Sequence, residues 1–161
     1  MDTAQRDLEH TLAYHGAPAL AGIKPADLIA WGTPQTCTSP FFQEYCTQLA
    51  LRGIQLRVMC TGRPRCLLLV YRPDQLERQL ADGAVRALLL REGYPVDQGL
   101  EAMLTALGRR LSEGSFPHEV GLFLGYPPED VEGFRLHQGR DYKLCGCWKV
   151  YSDVERARQC F

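Results

Sequence analysis

The stretch "FPHEVGLFLGYPPEDVEGF", residues 116–134, decides how the C-terminal third of this chain folds. Its centre, "EVGLFLGY", is apolar and long enough for a buried strand, bounded by Pro117 before it and a Gly-Tyr-Pro-Pro turn after it. "PPEDVEGFRLHQG" then sets proline and acidic residues where a helix N-terminus favours them. "YKLCGCWKVY" reads as a second strand, and "SDVERARQCF" as a closing helix with a Ser152-x-x-Glu155 capping box. Residues 119–151 are therefore predicted as a β-α-β unit. If its strands are parallel, the crossover is right-handed and the loop at Gly125 opens at their carboxyl ends, where ligands commonly sit.

Working back towards the N-terminus, "IQLRVMC" alternates and "CLLLVYR" is continuously apolar. The pair predicts an antiparallel hairpin, 54–60 with 66–72, whose second strand is the more central. Helical spacing marks residues 4–14 with Leu8 and Leu12 inward, and also 40–52, 82–93 and 98–112. "RPDQLERQL" starts a short helix, and another is expected to open at Pro25 in "GIKPADL". The expected fold is α+β: a single domain, 1–161, with a mixed sheet of about four strands packed by helices.

At 161 residues the chain is long enough to bury a core without metals or disulfides. A formal charge of −1 supplies no broad field for nucleic acid or an acidic membrane, and "MDTAQRDLEHTL" lacks the plan of a secretory signal. No nucleic-acid or membrane partner is expected, and the expected address is cytoplasmic. Seven cysteines, an odd number with no such signal, argue for reduced thiols. Cys145 and Cys147 form the one close pair; in a strand they would share a face. Only three of the eighteen basic residues are lysine, namely Lys24, Lys143 and Lys149. A compact ammonium persists where a planar guanidinium does not fit.

His118 and Glu119 are the candidate catalytic pair. Imidazole can serve as acid, base or ligand near neutral pH, and Glu119 can anchor a backbone N–H or a cation. On a strand the two would face opposite ways, so they can share an atom only if Pro117 leaves them in a turn. The candidate binding residues are His15, Lys24, Gly125, Tyr126, Lys143 and Lys149. With the glycine turn they could hold a small carboxylate or phosphate. Two histidines and a carboxylate could make an iron or zinc site, but no H-x-x-x-H or C-x-x-C spacing supports it, and no cofactor is identified. The loop lacks either glycine pattern of nucleotide sites.

"FPHEVGLFLGYPPEDVEGF" with "KLCGCWKVYSDVERARQCF" resembles the signature half of domain of unknown function 3793, a bacterial family frequent in anaerobic Firmicutes. "HGAPALAGIKPADL" and "RCLLLVYRPDQL" resemble its N-terminal half, so the likeness spans most of residues 10–161. The resemblance implies a small cytosolic protein in company with iron and flavin redox functions of anaerobes. Two functional expectations follow. One is a small-molecule-binding enzyme or redox-linked cofactor-handling protein, its partners a small ligand or a redox protein. The other is a non-catalytic accessory or interaction module whose motifs are structural.

Overall fold

The computed structural model describes residues 3–61, 64–113, 116–145, 149–151 and 153–160. In chain order the elements begin with α1 (Thr3–His15), α2 (Ala17–Leu20), β1 (Ala26–Trp31), α3 (Pro34–Cys37) and α4 (Pro40–Ala50). The hairpin β2 (Gln55–Cys60) and β3 (Cys66–Tyr71) follows, then α5 (Pro73–Ala81), α6 (Gly83–Arg91) and α7 (Leu100–Leu111). The chain continues with α8 (Val120–Phe123), α9 (Pro128–His137), β4 (Leu144–Cys145), β5 (Lys149–Val150) and α10 (Val154–Cys160).

The fold is α+β, as the periodicity predicts. Its main sheet has the order β1-β3-β2 and is antiparallel throughout, with Leu28 opposite Leu69 and Leu56 opposite Val70. The continuous apolar run of β3 follows from its central place. Cys66, Leu68 and Val70 enter one core with Leu8, Leu12, Trp31 and Phe42, while Leu69 and Tyr71 enter a second with Leu76, Leu104, Leu107 and Phe123. The sheet is thus buried on both faces, by α1–α4 on one side and by α5–α9 on the other.

Three expectations are corrected. Residues 26–31 form an edge strand, not a short helix: "ADLIAW" alternates, placing Ile29 and Trp31 in one core and Ala26 in the other. Residues 119–124 form no strand. Val120–Phe123 is one turn of helix with all four residues buried, so its apolar run carries no face preference that would distinguish helix from strand. "YKLCGCWKVY" is likewise not one strand of a β-α-β unit but a minimal hairpin, Leu144 opposite Val150 and Cys145 opposite Lys149, separate from the main sheet. The expected four-stranded mixed sheet is therefore a three-stranded antiparallel sheet with this small hairpin beside it. Ser39 sits at the N-cap of α4 but its hydroxyl donates back to the Thr36 carbonyl at 2.6 Å rather than capping. Ser152, Cys147 and Trp148, and with them the proposed capping box and cysteine pair, lie outside the described residues.

Two clamps position the N-terminal loop. Arg72, just before α5, donates through Nε to the Ala19 carbonyl at 2.9 Å and through Nη2 to Leu20, while Gln75 reaches Gly22 at 3.1 Å. Asp27, nearly buried, accepts from the Ala19 N–H at 2.9 Å and pairs with Lys24 at 2.8 Å.

Candidate functional site

Pro117, His118 and Glu119 lead into α8 through a helical turn. The Val120 N–H donates to the Pro117 carbonyl at 3.3 Å, that of Gly121 to His118 at 3.3 Å and that of Leu122 to Glu119 at 3.0 Å. Successive side chains in such a turn diverge by about 100° rather than 180°. His118 Nδ1 consequently lies 3.6 Å from Glu119 Oε2, the convergence a strand would forbid.

Glu119 is buried to 2% exposure and its charge is fully answered. Oε1 accepts from the Tyr94 hydroxyl at 2.9 Å and from Arg110 Nη1 at 3.1 Å. Burial, then the charge of Glu119, pushes the Tyr94 hydroxyl up, so it remains a proton donor. Arg110 also lies over the Tyr94 ring, 4.7 Å from its centre, and donates to the Glu92 carbonyl. Tyr94 follows the end of α6 and Arg110 is near the end of α7, so this network ties three helices at one point. Neither residue is identified by the sequence reading, because no local spacing links positions 92, 94, 110 and 119.

The second nitrogen of His118, Nε2, is 3.4 Å from Glu92 Oε1. Glu92, His118 and Glu119 together offer three ligand atoms within 4.8 Å of one another, the arrangement among the described residues that comes nearest to a metal centre. The residues do not fit a divalent cation well. Arg110 Nη1 is already within ion-pair reach of both carboxylates, 3.1 Å from Glu119 and 3.8 Å from Glu92, and supplies the positive charge an ion would bring.

His118 has a different neighbour on its other side. It borders a cavity of about 410 Å³, with Phe116, Pro117, Val120, Tyr126, Val131 and Phe134 as apolar or aromatic walls. His118, Asp130, Cys145 and Lys149 supply its polar atoms. That size falls within the range of small-ligand sites. The floor and walls come from α8, α9 and the β4–β5 hairpin. Gly121 is required there: a Cβ would lie 2.8 Å from the Tyr126 ring and 3.0 Å from Val131. Asp130 joins α9 to the hairpin by accepting from the Tyr151 N–H at 2.7 Å.

Of the residues singled out from sequence, the structure brings His118, Tyr126 and Lys149 to this cavity. Glu119 stands behind it. Gly125, at φ +86°, abuts the other predicted segment: a Cβ would meet Pro25 Cδ at 2.6 Å, and Lys24 Nζ stands 5.2 Å from the centre of the Tyr126 ring. The 24–25 corner therefore packs against the turn, and Lys24 Nζ is already paired with Asp27 at 2.8 Å. His15 is exposed at the end of α1 beside Tyr14, away from the cavity, and Lys143 is exposed, its backbone N–H donating to Val150 at 2.8 Å.

Fold and site together define an α+β protein with an open apolar cavity and one histidine in its wall. The family model described as "Protein of unknown function (DUF3793)" matches residues 12–161, and the chain belongs to that family. Neither the curated proteins nor the solved structures contain a match.

Proposed function

We propose that this protein binds a small, largely apolar molecule in the cavity between α8, α9 and the β4–β5 hairpin, with His118, oriented by Glu92 and Glu119, in its wall. The observation that carries this reading is the double placement of His118: its side chain borders the 410 Å³ cavity while both ring nitrogens face carboxylates, Glu92 at 3.4 Å and Glu119 at 3.6 Å. A ring held between two acceptors keeps a fixed orientation in the cavity wall. The redox setting that the family resemblance implies would make that ligand a participant in anaerobic metabolism.

Native mass spectrometry on protein purified without air or added metal tests this first. A reproducible adduct above 18.1 kDa, lost in His118→Ala at unchanged melting temperature, supports the reading. A bare polypeptide that also takes up no aromatic probe removes it.

The second reading, an accessory or interaction module, has its own support. Glu119 is buried and hydrogen-bonded as a structural carboxylate would be. If His118→Ala loses stability and ligand in equal measure, this reading prevails.

A further inference from the structure

We propose that the molecule this cavity takes is an amphipathic organic anion, an aromatic or branched apolar body ending in one carboxylate, and that Lys149 receives the charged end. The inference rests on the cavity being the binding site. Its basis is a count of which polar groups in the wall are already committed. Asp130, 3% exposed, has Oδ1 engaged by the Tyr151 N–H at 2.7 Å, so the one wall carboxylate is tied into the α9–β5 junction. The ring nitrogens of His118 face Glu92 and Glu119. Lys149 carries three N–H donors, and a single hydrogen bond is formed by Nζ among the described residues, to the Gly139 carbonyl at 2.7 Å.

The unspent N–H donors of the wall are therefore those of the Lys149 ammonium. Lys149 is also held ready. Nζ stands 5.7 Å from the centre of the Phe134 ring and 5.0 Å from that of Tyr142, faces that favour a cation without using its hydrogen bonds. Phe134 lines the cavity too, so an apolar body packed on that ring brings its head group to the ammonium. Phe116 and Phe134, 53% and 40% exposed, leave room for an aromatic ring to enter. A neutral ligand would leave the Lys149 donors unmatched, and a cationic one would be repelled.

The test uses three probes with one body: phenylbutanoate, phenylbutanamide and phenylbutylamine, titrated against the intact protein by calorimetry and ligand-observed NMR. The anion is expected to bind about tenfold or more tightly than the amide, with the amine weakest. Lys149→Met should bring the anion down to the level of the amide while leaving the amide unchanged. Lys149→Arg should keep the preference and shows whether the hairpin tolerates substitution. Equal binding of anion and amide overturns the inference and leaves the cavity reading standing, as does a preference that survives Lys149→Met. Tightest binding of the amine also overturns it, transferring the head group to Asp130. Binding of none of the three overturns both the inference and the reading beneath it.

Discussion

Replacing Arg110 by methionine should expose how much of the fold depends on the buried Glu119. The carboxylate is 2% exposed and would keep the Tyr94 hydroxyl at 2.9 Å but lose the guanidinium at 3.1 Å. Removing one partner of a buried pair costs about 3–5 kcal/mol. Arg110 itself is 32% exposed, so water shares its charge and the lower end applies, about 3 kcal/mol. For a chain of this length that is a fall in melting temperature of roughly 6–12 °C. Urea denaturation of four proteins checks the origin of the loss: the parent, Arg110→Met, Glu119→Gln and the double variant. With Glu119→Gln in place the stranded charge is gone while Tyr94 keeps an amide oxygen to bond. The double variant should therefore recover about 1.5 kcal/mol relative to simple addition of the two single losses. A loss below about 1 kcal/mol for Arg110→Met, or strict additivity, would refute the assignment of a buried, mutually dependent pair.

Two further outcomes are expected. Gly125→Ala should destabilise by about 2–3 kcal/mol, since the new Cβ meets Pro25 Cδ at 2.6 Å and alanine is strained at φ +86°; thermal melting reads it, and an unchanged transition would mean that the turn is not pressed against the 24–25 corner. Burial, with Cys66 alongside, pushes the Cys37 thiol up to about 12, so at pH 8 it stays protonated, whereas Cys145 is exposed. Among these, an aromatic disulfide reagent should modify Cys145 in the native protein and reach Cys37 and Cys66 only on unfolding; peptide mapping in which Cys37 is labelled first would contradict the buried placement.

How far the sequence foretells the molecule depends on whether its signals are local. The β2–β3 hairpin and α7 are legible because alternation and helical spacing are properties of neighbouring residues: Met103, Leu104, Leu107 and Leu111 all lie buried on one face. The segment 120–123 is misread because it is buried on every side, and a uniformly apolar run has no period. Residues 26–31 mislead differently. Pro25 is compatible with a helix start, but the register of Ala26–Trp31 against β3 makes them a strand, and tertiary pairing overrides the local hint. Within the site, His118, Tyr126 and Lys149 are found from residue type and turn chemistry. Glu92, Tyr94 and Arg110 are not, because they meet Glu119 only through the packing of α6, α7 and α8. Lys24 and Gly125 do come together, but as the buttress of a turn rather than as a cradle.

All three strands of the main sheet lie within the first 71 residues, while every residue bordering the cavity lies at 116 or beyond. On a ribosome, which releases the chain from its N-terminus, the sheet can assemble around β3 well before the cavity has any walls. A nascent chain halted before Phe116 would hold the sheet and leave its Leu69 and Tyr71 face without α8 and α9, a sticky surface that quality control can recognise. Closure of that face and formation of the cavity walls thus come together, late in the chain, once α8, α9 and the hairpin have been made.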